Sequence, residues 1–237
     1  MGLSIIQEAV ERRVRTLGLA PGARVLDAPC GAGLLVSALR ERGLDALGAD
    51  IDPEAASRLG EAFTLADLTQ PLPWPDASFD AVLSVEGIEH LENPFAYLRE
   101  IHRVLKPGGL LVLTTPNIAS ARSRVRFFGS AFFHHDPRPL REASRHPLHH
   151  IALMTFAELR YALRTSGFDV AEAGHTHIKP ASYLYVWMAP IAWLYTRVAF
   201  RKERDEAQRE ANVAIRRALV SRSLVLGENL LIVAKKR

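Results

Sequence analysis

The sequence has little cysteine, with Cys30 as the one thiol among 237 residues. A single thiol excludes a disulfide framework and an all-thiolate zinc site, and it is typical of a reducing compartment. The first residues contain no apolar signal-peptide core, and position 6 is Ile where an N-myristoylation signal needs Ser or Thr. We therefore expect a cytoplasmic protein.

Long apolar runs are also scarce. The uncharged stretch at residues 180–196 is at the lower length limit for a transmembrane helix, and Pro190 interrupts it. A single crossing would also separate the apolar residues 229–234 from the rest of the predicted sheet. We therefore expect no membrane span.

The same stretch holds two of the three tryptophans and three of the five tyrosines, and a basic run at residues 197–222 follows it. That run contains eight basic and four acidic residues, so it accounts for the whole net charge of +4. Residues 181–222 could therefore lie peripherally on the anionic inner face of a membrane, or cover a lipid-like acceptor. A helix buried against the domain or in a homodimer interface is the equally open alternative.

The composition, 48% hydrophobic and 24% charged, is that of an ordinary globular protein and predicts one domain over residues 1–237. Strand and helix patterns alternate along it, which favours an α/β fold with a parallel sheet and helices on both faces. Helices are expected after Ser4, Asp52, Asn93 and Thr155, and over residues 34–42. The predicted strands cover residues 23–27, 45–49, 63–66, 79–85, 110–115, 169–173 and 229–234. Two insertions interrupt the pattern: a loop-like, His-rich segment at 117–151, predicted as a substrate lid, and residues 179–223.

Ligands of an open parallel sheet bind beyond the carboxyl ends of its strands. Gly31 and Gly33 form a tight turn after the first strand, where backbone can approach a ligand closely. Asp50 ends the second strand 19 residues after Gly31, where a carboxylate can accept both hydroxyls of a ribose. Together these features predict an adenosine-type ligand.

The charge near this turn indicates which adenosine ligand is bound. No Lys or Arg occurs between Val25 and Leu39, and Val36 stands where a dinucleotide fingerprint has its third glycine. Both features disfavour a pyrophosphate. The acidic residues at the strand ends suit instead a ligand with an ammonium and a sulfonium; they are Asp27, Asp50, Asp67 and Glu86. This chemistry is that of S-adenosyl-L-methionine.

Five segments resemble class I S-adenosylmethionine-dependent methyltransferases of the small-molecule type: VLDAPCGAGLL, LGADIDP, ADLTQPLPWPDASFDAVLSVEGIEHLENP, REIHRVLKPGGLLVLTTPN and HIALMTFAELRYALRTSGF. The resemblance covers about residues 20–175 and the last strand. It implies a doubly wound, mostly parallel seven-strand sheet in the order 3-2-1-4-5-7-6. One departure is Pro29, where the family more often has Gly.

The same resemblance implies the roles of the cofactor-binding residues. Gly31 and Gly33 would wrap the methionine part with help from Asp27, and Asp50 would bind the ribose. Asp67 and Leu68 would meet the adenine, and Val85 and Glu86 would line the methionine side. Two neighbours complete the expected set, Ile51 after Asp50 and Cys30, the latter mainly as a packing residue of the turn.

Histidines are the candidates for the acceptor side. In the family, the His of an "EH" after this strand and the His of an "HI" before this helix commonly face the acceptor pocket, which assigns catalytic positions to His90 and His150. A metal site is not expected, since the loop residues that could form one lack a fixed spacing; they are His134, His135, Asp136, His146 and His149. Arg122, Arg124 and Arg126 could hold an anionic substrate group or form an exposed lid face.

These patterns predict methyl transfer to a small-molecule or lipid- or glycan-linked acceptor, with a hydroxyl oxygen favoured. A nucleic-acid acceptor is disfavoured because the fourth strand ends in SVEGIEH, without the Asn/Asp-Pro-Pro-aromatic element of base-amino methylation. A third hypothesis stays open, in which a cofactor-binding module with weak catalysis is recruited to a membrane.

Overall fold

The computed structural model describes residues 2–133, 138–140, 143 and 149–237. Seven strands and nine α-helices lie in these ranges. In chain order they are α1 (Ile5–Arg15), β1 (Arg24–Asp27), α2 (Leu34–Arg40), β2 (Asp45–Asp50), α3 (Ala56–Leu59), β3 (Phe63–Leu65), β4 (Phe79–Val85), α4 (Pro94–Val104), β5 (Leu105–Pro116), α5 (Ala121–Ser130), α6 (Phe156–Thr165), β6 (Phe168–His175), α7 (Met188–Phe200), α8 (Glu206–Leu219), α9 (Arg222–Leu226) and β7 (Asn229–Lys236).

The seven strands form one sheet in the order β3-β2-β1-β4-β5-β7-β6, as the resemblance implied. β1 to β5 pair in parallel, whereas β7 runs antiparallel to both β5 and β6. The carboxyl ends of β1, β2, β4 and β5 therefore meet at one edge of the sheet, where a ligand of such folds binds.

Both faces of the sheet are covered by apolar side chains that alternate along the strands. Leu26 and Val82 pack into a cluster with α4 and α6, whereas their neighbours Val25 and Ala81 pack with α1 and α2. Successive strand residues point to opposite faces, so helices on both sides are needed to bury them. The predicted doubly wound α/β architecture is confirmed.

Most of the predicted helix starts are present. Ser4 and Gln7 form a reciprocal capping box at α1, and Thr155 and Glu158 form another at α6. Asn93 accepts a hydrogen bond from the amide of Ala96 at the start of α4. The helix expected after Asp52 is only a 3-10 turn followed by the single turn of α3, because Gly60 then adopts a positive φ of 55°.

Two further boundaries differ from the sequence prediction. The sequence predicts a loop-like segment at 117–151, yet this segment contains α5, at whose start the hydroxyl oxygen of Ser120 accepts the amide of Ser123. Its apolar positions are too few for a helical stripe, so periodicity could not reveal it. β5 begins at Leu105 rather than at residue 110. In residues 179–223 the chain forms a 3-10 turn (Pro180–Tyr185) and helices α7 to α9.

Within the part of the chain that the structure describes, no helix combines the length and the apolar character that crossing a membrane requires.

Candidate active site

The turn between β1 and α2 is tied to the neighbouring strands by backbone hydrogen bonds. The amide of Ala28 donates to Leu83 of β4, and the amide of Cys30 donates to Ala49 of β2. Gly33 has a φ of 74°, and a Cβ there would lie 2.8 Å from the Leu59 side chain. Both the conformation and the space favour glycine at this position.

Asp50 connects this turn to the end of β2. Its Oδ2 accepts the amide of Gly31 at 2.8 Å, and its Oδ1 accepts the amide of Asp52 at 3.0 Å. The side chain is buried, with 8% of its surface exposed. A carboxylate has about four acceptor sites, so each oxygen keeps capacity for a further donor such as a ribose hydroxyl. Ile51, the next residue, is exposed.

Two carboxylates lie at the ends of adjacent strands at this edge: Asp27, which is buried, is the last residue of β1, and Glu86, which is partly buried, directly follows β4. The Oδ1 of Asp27 and the Oε1 of Glu86 have no hydrogen-bond partner within the described ranges. Burial raises the pKa of Asp27 well above its ordinary value, and the charge of Asp50 adds to the effect. Burial likewise raises the pKa of Glu86. A cation beside these oxygens would stabilise their charged forms, which fits an ammonium or sulfonium ligand.

Glu86 is held in an uncommon backbone conformation. Its φ is 50°, in the left-handed region that non-glycine residues rarely adopt. The amide of Glu86 donates to the backbone carbonyl and the hydroxyl of Thr114, and its Oε2 accepts from Asn229 Nδ2 at 2.6 Å. Such conformations persist where surrounding contacts enforce them, and they concentrate at functional sites.

Gly87 is a residue that the sequence analysis missed. A Cβ at this position would collide with the ring of Pro29. Pro29 is the departure from the family pattern, and Gly87 leaves the space that the proline ring occupies. The sequence would reveal the role of Gly87 only if it were paired with Pro29, which lies 58 residues earlier in the chain.

The remaining predicted cofactor residues differ in their surroundings. Leu68 is buried, whereas Asp67 is exposed and its Oδ1 accepts both the amide and the hydroxyl of Thr69. Val85 is partly buried at the end of β4. Cys30 is buried, and burial raises the pKa of its thiol, so the side chain packs as a neutral group.

The structure brings the two predicted histidines together. His90 lies in a 3-10 turn (Ile88–His90) after β4, and its Nδ1 is 3.1 Å from the carbonyl oxygen of His149. The amide of Ala152 donates to the carbonyl of Glu89 at 2.9 Å. These contacts place residues 149–152 beside the turn, and the ring centroids of His90 and His150 lie 4.9 Å apart. Burial lowers the pKa of His90, which favours the neutral imidazole.

Glu89 lies in the chain between Glu86, a candidate for the cofactor site, and His90, a candidate for the acceptor site, and it was not singled out from the sequence. Its side chain is fully buried, with 0% of its surface exposed, and its Oε2 accepts from the Thr115 hydroxyl at 3.0 Å. Its Oε1 has no hydrogen-bond partner among the residues that the structure describes. Burial raises the pKa of Glu89, and the charge of Glu86 adds to this.

The three candidate arginines of α5 have different environments. The Nη1 of Arg122 lies 3.4 Å from the Oε1 of the buried Glu228, whereas Arg126 is exposed. Arg124 is partly buried, and its Nε donates to the carbonyl of Ala119 at 2.7 Å. Of the loop residues considered for a metal, His134, His135, Asp136 and His146 lie outside the described residues.

The insertion at 179–223 has some apolar side chains packed against the domain and others exposed. Tyr185, Met188 and Ala189 pack against the rest of the protein at Ala121, Val225 and Leu226. Other large apolar side chains in the 3-10 turn, in α7 and between the two are exposed, and we call them the apolar face: Leu184, Val186, Trp187, Ile191, Leu194, Tyr195 and Val198.

Comparison with known proteins decides the family. A family model described as a methyltransferase domain matches residues 3–173, which is more than half of the chain. The chain belongs to this methyltransferase domain family. The expected class of protein, a Rossmann-like S-adenosylmethionine-dependent methyltransferase, is thereby confirmed.

Relatives and solved structures agree with this assignment. The methyltransferase is 31% identical over 155 residues to a protein of Mycolicibacterium smegmatis named as a probable S-adenosylmethionine-dependent methyltransferase, with 64% of this chain and 54% of that protein covered. It is 36% identical over 124 residues to a ubiquinone biosynthesis O-methyltransferase of Xanthomonas campestris, with 47% of this chain and 51% of that protein covered. The chain thus spans about half the length of these relatives.

Its fold is also similar to that of a solved SAM-dependent methyltransferase from Archaeoglobus fulgidus. The TM-score is 0.59 at 22% identity, with 97% of this chain and 94% of that chain covered. Because the identity is low, this likeness supports the fold alone.

Proposed function

We propose that this methyltransferase moves a methyl group from S-adenosyl-L-methionine to a hydroxyl oxygen of a small-molecule or lipid- or glycan-linked acceptor. The observation that carries the proposal is that the rings of His90 and His150 meet, with centroids 4.9 Å apart, at the 3-10 turn that follows β4 and Glu86. We also propose that residues 1–237 act as one domain and that the insertion at 117–151, part of which lies outside the described residues, serves as a substrate lid.

The cofactor would lie along the turn after β1. Asp50 would accept the ribose hydroxyls, and Asp27 and Glu86 would face the positive charges through the oxygens that have no hydrogen-bond partner in the described part of the chain. The other residues proposed to line it are Cys30, Gly31, Gly33, Ile51, Asp67, Leu68 and Val85. S-adenosylmethionine, when bound, supplies an electrophilic methyl group on a sulfonium.

On the acceptor side the chain has to remove a proton. A hydroxyl becomes an effective nucleophile as its proton leaves, and a histidine whose pKa is lowered by burial, so that its neutral form is favoured, is suited to assist this. The His149 carbonyl favours a proton on Nδ1 of His90, which leaves the lone pair of Nε2 available. The O-methyltransferase relative named above supports an oxygen acceptor.

The test of the proposal is turnover of the purified protein with S-adenosylmethionine and a panel of phenols, polyprenylated phenols, glycolipids and amines. We expect S-adenosylhomocysteine to form in equal amount to an O-methylated product. Cofactor binding without turnover on any acceptor would support the non-catalytic binding module instead, and methylation of amines alone would exclude the hydroxyl assignment.

We further propose that the apolar face rests on an anionic membrane surface at the cytoplasmic side. Basic side chains lie next to its aromatic residues: the Arg197 guanidinium lies 5.2 Å from the Trp193 ring centroid, and that of Arg222 lies 5.8 Å from the Tyr183 ring centroid. Aromatic rings beside Arg and Lys are typical of helices that lie in the headgroup region of anionic lipid. A membrane at this face would give access to lipid-like acceptors.

Replacing Trp187, Leu194 and Tyr195 together with Ser is expected to reduce co-sedimentation with phosphatidylglycerol-containing vesicles about tenfold or more, because three exposed apolar side chains are lost from the contact. Leu65→Ser, which removes a side chain that is 64% exposed on β3, is the matched control. Equal sedimentation of the triple variant would contradict the proposal. A wild-type dimer that the triple variant lacks would show that a second copy of the chain covers this face.

A further inference from the structure

Glu89, His90 and His150 form a cluster that the sequence analysis did not connect. One potential ligand atom from each of the three side chains lies within 4.8 Å of the corresponding atoms of the other two. Two imidazole nitrogens and one carboxylate oxygen are the donor set of many catalytic metal centres. We propose that these three residues bind a divalent transition-metal ion, with zinc the best match to the donors.

Glu89 provides the strongest support for this site. A fully buried carboxylate with an unpartnered oxygen is costly unless a cation or a donor compensates for the lost hydration. The hydroxyl of Thr115 binds one oxygen of Glu89, and the other is left without a hydrogen-bond donor among the described residues. Buried metal-binding carboxylates commonly have this arrangement, in which a neighbour orients the group and one oxygen meets the ion.

His90 shows the same pattern of support. Its Nδ1 faces the carbonyl oxygen of His149 at 3.1 Å, so Nε2 is the nitrogen that remains for an ion. A hydrogen bond from the second ring nitrogen to a backbone carbonyl is the usual way in which a metal-binding histidine is oriented. The hydrogen bond from Ala152 to the Glu89 carbonyl connects the segment carrying His150 to the same turn.

Three protein ligands leave a position of the ion open. In catalytic zinc sites water or substrate takes that position, and the ion lowers the pKa of the bound hydroxyl group. The role we assign to the ion rests on the proposed function: an acceptor hydroxyl at the open position would lose its proton more readily. Its oxygen would then bond to the methyl group as the sulfur–methyl bond breaks, and the proton would leave to solvent.

This proposal departs from the expectation of no metal. That expectation weighed the histidines of residues 134–149, which lack a regular spacing, and it did not include Glu89. Glu89 and His150 are 61 residues apart in the sequence and meet only in the folded chain.

The test is direct metal binding by the full chain. After dialysis against a chelator, the wild-type protein is titrated with Co²⁺, whose visible absorption changes when protein ligands replace its water, and then with Zn²⁺. We expect one equivalent of Co²⁺ to bind and Zn²⁺ to displace it. Glu89→Gln and His150→Gln should each weaken Co²⁺ binding by about tenfold or more. His102→Gln is the control, since this histidine packs on Phe168 away from the cluster.

Calorimetry with S-adenosylmethionine shows whether each variant is folded, because the cofactor residues are unchanged. Wild-type protein that takes up no Co²⁺ or Zn²⁺, or folded Glu89→Gln and His150→Gln variants with unaltered affinity, would overturn the metal site. Failure of the two proposals can be distinguished. Full methyl transfer after chelation would refute the metal proposal and leave the proposed function intact, whereas metal binding without transfer to any hydroxyl would refute only the proposed function.

Discussion

Replacement of Asp50 with Ala is expected to weaken S-adenosylmethionine binding by more than about tenfold. The carboxylate accepts the amides of Gly31 and Asp52, so its loss loosens the glycine turn as well as removing the acceptors for the ribose hydroxyls. Hydrogen bonds to charged groups contribute about 1.5–3 kcal/mol each, and about 1.4 kcal/mol corresponds to a factor of ten in affinity. Isothermal titration calorimetry measures the effect.

Asp45→Ala is the matched control because Asp45 begins the same strand, β2, at the opposite end. Its carboxylate lies near the partly exposed Arg24 and the exposed Arg40 rather than near the turn. Cofactor affinity should therefore stay within about twofold of the wild type, since exposed ion pairs contribute little. Equal affinities of the wild type and Asp50→Ala would remove Asp50 from the cofactor site.

Replacement of His90 with Ala is expected to lower kcat by about 100-fold to 10,000-fold, the usual contribution of a group that assists proton removal. The substitution changes none of the residues proposed to line the cofactor, so the affinity for S-adenosylmethionine should be unchanged. A direct proton acceptor and a metal ligand both predict this loss, and the cobalt titration distinguishes the two roles. Steady-state formation of S-adenosylhomocysteine is the measurement.

His102→Ala serves as the comparison because it removes a histidine from the C-terminal end of α4, where burial and the charges of Lys236 and Arg237 lower its pKa. It should retain nearly full kcat. If His90→Ala also kept its kcat within about tenfold of the wild type, neither proposed role for His90 would hold.

Local patterns predicted the carboxyl ends of β1, β2, β4 and β5 to within one residue. The turn with Gly31 and Gly33 and the carboxylate of Asp50 depend on spacing within one βαβ unit, and the structure joins them by the hydrogen bond from Gly31 to Asp50. Helix starts at Ser4 and Thr155 were visible for the same reason, since a capping box involves residues only three apart.

Features that depend on distant parts of the chain were not predictable from such patterns. The packing of Pro29 on Gly87 pairs residues of two strand-to-helix connections. Glu89 resembles any acidic residue of a turn until the fold buries it beside His90 and Thr115. For Asp67 the structure leaves the sequence-based role untested. Its exposed carboxylate accepts the amide and the hydroxyl of Thr69, as in an ordinary surface turn, and its proposed contact with adenine is still a prediction.

The account depends most on the claim that the turn after β1 receives a cationic sulfur donor rather than a diphosphate. A bound ammonium or sulfonium would stabilise the charged forms of the Asp27 and Glu86 carboxyl groups, whereas a pyrophosphate beside them would be repelled by any charge that they carry. Calorimetric titration of the wild-type protein with S-adenosylmethionine and, separately, with NAD tests this most directly. We predict one bound S-adenosylmethionine and no measurable binding of NAD; binding of NAD that Asp50→Ala abolishes, with S-adenosylmethionine silent, would contradict the claim.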